Sequence, residues 1–397
     1  MAELITIAEA QERVLAAVRP LAAETVAVAD ALERVLARPV NAEGDVPPFP
    51  SSAMDGYAVQ AGPAGRRLRV VGESRAGAPA ELALGDDEAI RISTGAAVPA
   101  GAAVIPQEEV ELQDGLVLLG ATVQPGAHVR PAGEVMRSGQ PVLEEGSRIG
   151  PAELAAAISA GAATLEVVRR PRAAVLSTGD ELREPGARLR PGEIYNSNGP
   201  MLDALGVLAG ALSLGARQLA DDPAATEAGL DAALGSADVV IISGGVSVGP
   251  HDHVKPALAK LGVEERFWGV ALQPGKPTWF GTRGDTLVFG LPGNPVSAAV
   301  TFSLFVAPGL AALQRRRLGD ALASAVLGSP VARNPRREQA IRVRLEHMNG
   351  ETIAHPNGPQ GSHVITSLVG ADALALIPRG EGPLAAGATV ALRPLIR

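Results

Sequence analysis

The segment Asp238-Val-Val-Ile-Ile-Ser-Gly-Gly-Val-Ser-Val-Gly-Pro-His-Asp-His-Val-Lys255 constrains the fold more than any other stretch of the chain. Val239 to Ile242 is a short β-branched run, the pattern of a strand covered on both faces. Ser243 to Gly249 then supplies three glycines and two serines, a composition that lets backbone N–H groups curl round an anion. Asp252 and Lys255 follow at the start of the next predicted helix, where a phosphate or a metal ion is favoured. Strand, glycine turn and charged helix start predict a site for a phosphorylated ligand. From this segment alone, a plain Gly-rich connection in an α/β sheet remains the alternative.

Composition narrows the ligand. A chain of 397 residues is too long for one simple core. Its net charge of -8, the lack of a basic block and the scarcity of aromatics (six Phe, two Trp, two Tyr) argue against nucleic acid as a partner. With no Cys there are no disulfides, thiolate metal sites or Cys nucleophile. No apolar run is read as approaching the roughly 20 residues that cross a bilayer, and the N-terminus lacks a signal-peptide pattern, so a soluble cytoplasmic protein is expected. The basic residues are nearly all Arg; the lysines are Lys255, Lys260 and Lys276. Their clustering near the opening segment is open between chance and a need for compact point charges.

The chain opens with Thr6-Ile-Ala-Glu9, a capping box, and apolar residues at helical spacing through Val18. A second helix is expected over Val26 to Leu36. Residues 41 to 139 read as a small β-rich domain, with strands at Leu68 to Val71, Ala89 to Ile92, Val104 to Ile105 and Leu116 to Leu118. Pro151 to Gly161 reads as a helix. From Arg172 to Leu313 strands and helices alternate, which predicts a parallel, doubly wound sheet. Helices are expected from Asn198 to Leu208, from Pro223, and from Pro295 with Asn294 as N-cap. The polar motifs are all read as following strands, so they should meet at the sheet's carboxyl edge. The last 75 or so residues again look β-rich, with strands at Ala340 to Leu345, Ala373 to Ile377 and Thr389 to Leu392.

Asp180, Glu181, Asp221, Asp222 and Asp252 are expected at that edge. Oxygen ligands without Cys suit Mg²⁺, and Mg²⁺ beside an anion turn suits a phosphoanhydride. For each acid singly, helix capping is the competing reading, most directly for Asp222 before Pro223. Lys276, inside Gln273-Pro-Gly-Lys-Pro277, is a candidate held cation for an oxyanion. Asp55 and Thr94 each sit in a Gly-containing turn and, with Gln360-Gly-Ser362-His363, suggest ligand loops on the flanking domains.

Taken in order, Ser52-Ala-Met-Asp-Gly-Tyr-Ala58, Ser177-Thr-Gly-Asp-Glu-Leu182, Ser243-Gly-Gly-Val-Ser-Val-Gly249, Pro274-Gly-Lys-Pro277 and Gly290-Leu-Pro-Gly-Asn-Pro-Val-Ser297 resemble the molybdopterin molybdenumtransferase family. The resemblance runs through Gln360-Gly-Ser-His363, essentially the whole chain. It implies a Mg²⁺-dependent cytoplasmic enzyme of molybdenum-cofactor biosynthesis that takes adenylylated molybdopterin and molybdate, releases AMP, and works as a homodimer with a cleft shared between subunits. It also implies contact with other molybdenum-cofactor enzymes. The implied fold is α/β plus β, with four domains: a central doubly wound α/β domain (1–22 and 168–318), a small mixed linker domain (23–41 and 140–167), an inserted β-rich domain (42–139) and a C-terminal β-barrel-like domain (319–397).

Residue by residue, the resemblance implies catalytic roles for Asp55, Thr94, Glu181, Asp221 and Asp252, the last three also as metal ligands. Ser243, Gly244, Gly245, Ser247 and Gly249 would hold phosphate, and Lys276, Ser297, Arg337 and Ser362 molybdate. The chain departs from the family at Val135, where an acid is common, and at Gln273, where many members have Lys. Adenylylation of molybdopterin and a scaffold role like that of gephyrin's homologous domain are the rival readings.

Overall fold

The computed structural model describes residues 4–245, 253–316 and 323–396. At its centre lies strand Val239–Ser243, buried along its whole length. Val239 and Ile241 enter one apolar core with Ala173, Val175, Leu287 and Phe289. Val240 and Ile242 enter a second core on the opposite face, with Ala174, Leu176 and Val288. The two-residue alternation of the strand thus feeds two separate cores, which is why the run can be apolar at every position. Helices Ile7–Ala17 and Asn198–Leu208 cover the first core; Pro223–Ser236 and Val254–Lys260 cover the second.

The sheet order is Leu212–Leu219, Arg172–Thr178, Val239–Ser243, Thr286–Leu291, Trp279–Arg283, Glu264–Trp268. The first four strands are parallel, and Trp279–Arg283 runs antiparallel to both of its neighbours. The sheet is therefore mixed where a parallel one was expected. Only Gly284 and Asp285 separate Trp279–Arg283 from Thr286–Leu291, and so short a link permits only an antiparallel return. Among the parallel strands the connection reverses direction between Arg172–Thr178 and Val239–Ser243. Such a reversal opens a crevice at the carboxyl ends of those two strands.

The first helix carries the expected capping box: Thr6 Oγ1 accepts from the Glu9 N–H at 3.2 Å, and Glu9 Oε2 accepts from the Thr6 N–H at 2.7 Å. The helix expected over Val26 to Leu36 does not form. Instead Ala23–Ala27 is a strand paired antiparallel with Thr164–Val168, followed by a 3₁₀ turn at Val28–Asp30. Consecutive β-branched Thr25 and Val26 suit that pairing, and tertiary partners outweigh local helix preference.

The apolar stretch Pro295–Leu313 corrects a second expectation. It is 19 residues long and apolar enough to cross a membrane by length and composition, but 89% of its most apolar 18-residue window is buried inside the protein. It supplies Val296, Phe302, Leu304, Phe305 and Leu310 to the first core.

The inserted region is a six-stranded sheet ordered Ala103–Pro106, Gly56–Val59, Glu88–Ile92, Arg67–Ser74, Leu116–Leu119, Val110–Gln113, which contains each of the four expected strands. Near the C-terminus Glu338–Met348, Glu351–Pro356, Ser324–Leu327, Thr389–Pro394 and Ala373–Ile377 close into a five-stranded barrel through the pairing of the first with the last. Leu272–Gln273 adds to its edge beside Glu338 and Gln339, tying the barrel to the central domain.

Two glycines separate steric demand from backbone freedom. A Cβ on Gly56 would lie 2.0 Å from the carbonyl oxygen of Ile105, whereas one on Gly206, inside helix Asn198–Leu208, would meet nothing within 4 Å. Gly56→Ala should therefore destabilise by about 1–3 kcal/mol. Gly206→Ala should stabilise by roughly 0.4–1 kcal/mol. Thermal unfolding of the two variants checks both signs.

Candidate active site

The crevice predicted by the topology is a cavity of about 630 Å³. Strand Arg172–Thr178 delivers Ser177, Thr178 and Gly179 to it, and Val239–Ser243 delivers Ser243, Gly244 and Gly245. Gly244 and Gly245 have φ of +87° and +62°, and added Cβ atoms would lie 2.9 Å from the Thr178 carbonyl and 2.6 Å from Val254. Only glycine lets this turn fold so closely against the neighbouring strand. Ser247, Gly249 and Asp252, the rest of the expected anion turn and third metal ligand, lie outside the described residues.

Glu181 and Asp221 both line the cavity. Gly179, at φ +143°, leaves room for the Glu181 carboxylate: a Cβ there would fall 2.5 Å from Glu181 Oε2. Asp180 and Asp221 lock their two loops reciprocally. The Asp180 N–H donates to Asp221 Oδ2 at 3.1 Å, and the Asp221 N–H donates to Asp180 Oδ1 at 3.2 Å. Asp222 caps its helix by accepting from the Ala225 N–H at 2.8 Å, the competing reading of that acid. Carboxylate oxygens beside a glycine turn fit Mg²⁺, which takes one or two carboxylates together with phosphate and water. Among the described residues no group of three His, Asp or Glu could enclose a metal by itself.

Several lining residues escaped the sequence reading. The Asn198 side-chain NH₂ donates to Ser243 Oγ at 2.8 Å and to the Gly293 carbonyl at 2.7 Å, joining three loops of the cavity. Asn196 Oδ1 accepts from the Gly199 N–H at 3.0 Å. Tyr195 lines the mouth with its hydroxyl donating to the Ala187 carbonyl at 3.0 Å. The signal was Asn196-Ser-Asn-Gly-Pro200, which reads as a helix start and nothing more.

Asn294 is the N-cap residue expected, yet its side chain makes no capping bond; it donates to Ser362 Oγ at 3.2 Å instead. The Ser362 carbonyl accepts from the Val296 N–H at 3.2 Å, and His363 reaches the cavity. The loop holding both is wrapped round Arg342, fully buried, whose Nε donates to Ser367 Oγ at 3.0 Å and whose Nη2 faces the Pro359 and Gly361 carbonyls at 3.3 Å. Burial lowers the Arg342 pKa to about 10.

Lys276 does not join this cavity. Its loop leads from the barrel-edge strand Leu272–Gln273 to Trp279–Arg283, so the expectation that every polar motif meets at one sheet edge fails here. Lys276 instead shares a second cavity, about 920 Å³, with Trp268, Asn334, Arg336 and Arg337. Ser297 is buried in the first turn of its helix and lines neither cavity. Of the other lysines, Lys260 pairs with Glu227 at 2.7 Å on the surface, and Lys255 lies 4.3 Å above the Trp268 ring.

Asp55 and Thr94 meet each other in the inserted domain, not at the cavity. The Thr94 N–H and hydroxyl both donate to Asp55 Oδ1, at 2.7 and 3.0 Å, and hold the carboxyl below its usual range.

Three family models match in order: "MoeA N-terminal region (domain I and II)" over residues 5–161, "Probable molybdopterin binding domain" over 174–312, and "MoeA C-terminal region (domain IV)" over 324–395. A molybdopterin molybdenumtransferase of Bacillus subtilis is 34% identical over 368 residues, 89% of this chain and 86% of that protein. The chain belongs to the MoeA family. Molybdopterin molybdenumtransferase 2 of Mycobacterium tuberculosis is 38% identical, with 94% of each chain covered. The crystal structure of a molybdopterin biosynthesis MoeA protein from Pyrococcus horikoshii matches over all of both chains, with 33% identity and a TM-score of 0.81. The resemblance found in the motifs and the four-part α/β plus β architecture are thus those of this family.

The Asp55–Thr94 pair gives a pH test. Its carboxyl pKa is depressed by folding, so its contribution is present above the ordinary carboxylate range and disappears as pH falls through the folded value. Thr94→Val removes the hydroxyl donor and should bring the Asp55 pKa part of the way back up, as followed by NMR of the side-chain carboxyl carbon.

Proposed function

We propose that this MoeA-family chain is a molybdopterin molybdenumtransferase, inserting molybdenum from molybdate into adenylylated molybdopterin with release of AMP. The observation that carries the reading is the pairing of two unlike cavities. One sets a glycine turn beside two carboxylates at the sheet's switch point; the other gathers three cations.

In this reading Gly244 and Gly245 let backbone approach the phosphates, and Asn198 holds Ser243 against the Gly293 loop so that the wall keeps its shape. Glu181 and Asp221, with Asp252, would hold Mg²⁺, which when bound supplies positive charge to the phosphate oxygens of the scissile anhydride. Lys276 and Arg337 would neutralise molybdate in the second cavity; Ser297 and Ser362, also expected to hold it, lie instead at the helix start beside the first cavity. Positioning and charge neutralisation carry the chemistry, and no side chain has to act as a covalent nucleophile. The domain boundaries given above for the linker and central parts belong to the same proposal, as does a cytoplasmic location.

Asp55 and Thr94 are exposed, tied to each other and absent from the cavity of their own chain. We propose a homodimer in which this pair faces the cavity of the second copy. A monomer in sedimentation equilibrium would remove that part of the reading.

The deciding assay is AMP release from adenylylated molybdopterin with and without molybdate and Mg²⁺. Release by the native chain should require both, and Glu181→Gln or Asp221→Asn should slow it on the order of 10²-fold, the scale on which loss of one preorganised electrostatic contact is felt. No release by the native chain contradicts the function; undiminished release by both variants contradicts the roles given to these two acids.

A further inference from the structure

The second cavity has walls from two distant parts of the chain. Lys276 comes from the loop after Leu272–Gln273, and Arg336 and Arg337 from the turn that enters barrel strand Glu338–Met348. Three cations line it and no carboxylate does, and among the described residues none of the three forms an ion pair. Like charges on facing walls repel. Something other than charge has to hold these walls together.

Asn334 is placed to do so. Its Oδ1 accepts from the Arg336 N–H at 2.9 Å and from the Arg337 N–H at 3.1 Å. This is an Asx-type turn that fixes the direction in which the two arginines leave the backbone. Because Oδ1 is committed to two N–H donors, the side-chain NH₂ must face the other way. There it donates to Gln273 Oε1 at 2.7 Å, across to the wall that carries Lys276 three residues later. The backbone closes the same joint: the Asn334 N–H donates to Gln339 Oε1 at 2.8 Å, and Gln339 pairs with Gln273 in the sheet. A lysine at 273 would offer no acceptor to the Asn334 amide. The neutral residue at this position is therefore an anchor.

We propose that Asn334, anchored by Gln273, is a positioning residue that holds Lys276 and Arg337 at the separation needed to share one tetrahedral oxyanion. The inference rests on the reading of this cavity as the molybdate site. Asn334 itself does not touch the reacting atoms; it sets where two cations stand.

The test is titration of the full-length chain with sodium molybdate by calorimetry, in parallel with AMP. Asn334→Ala should weaken molybdate binding about tenfold while AMP affinity stays within twofold, a separation that general loss of structure would not produce. Gln273→Ala should weaken molybdate binding in the same direction, and the double variant should be no weaker than Asn334→Ala alone, because both substitutions break one link. The two singles approach the link from opposite walls, so the measurement survives if either fails to fold. Native-like molybdate affinity in Asn334→Ala, additive losses in the double variant, or no molybdate binding by the native chain overturns the proposal. AMP release is scored separately, so a chain that binds molybdate through this clamp yet releases no AMP contradicts the function and leaves the clamp standing.

Discussion

The double burial of Val239 to Ile242 is the constraint on which the rest of the molecule depends. All four side chains are fully buried, two in each core. At roughly 1.5–3 kcal/mol for each such side chain, their gross contribution is comparable with the net stability of a whole domain. A strand covered this way must be interior to a sheet with helices on both faces, and its polar groups can emerge only at its ends. Ser243-Gly-Gly245 is that emergence. The crevice lies beside it because chain order reverses between this strand and Arg172–Thr178.

How much of this could be read from the amino acids depended on whether the deciding interaction was local. The capping box at Thr6, the helix Asn198–Leu208 and the cap at Asp222 were legible because the groups involved lie within a turn of one another. The β-branched run and the glycine turn were legible because each reflects a single backbone demand. The helix expected over Val26 to Leu36 was a misreading because the partner of strand Ala23–Ala27, Thr164–Val168, is remote in sequence. That Lys276 stands apart from the other polar motifs was not legible, because the two-residue strand before it joins the barrel and nothing nearby announces that. Asn198 was seen as the start of a helix, although its amide bonds to Ser243 and Gly293 make it part of the cavity wall. Pro295–Leu313 was not read as one long apolar stretch, although it is 19 residues long.

The two cavities differ in charge. Around the glycine turn the chain offers backbone and carboxylates, a setting for phosphate only together with a bound cation. Around Trp268 it offers Lys276, Arg336 and Arg337, a setting for an anion by itself. Ser362 and His363, held by the loop around the buried Arg342, reach the helix start at Asn294 and bring the barrel to the rim of the first cavity. A chain that joins a phosphorylated organic ligand to an inorganic oxyanion, as proposed above, needs such a pair of sites.

The central claim is that the crevice between Thr178 and Gly244 is the nucleotide site. Its most direct test is a crystal structure of the protein grown with AMP and Mg²⁺. The account predicts the phosphate against the Ser243–Gly245 turn, with Glu181 and Asp221 turned toward the metal. Nucleotide bound elsewhere, or bound in this crevice with its phosphate directed away from the turn, would contradict it.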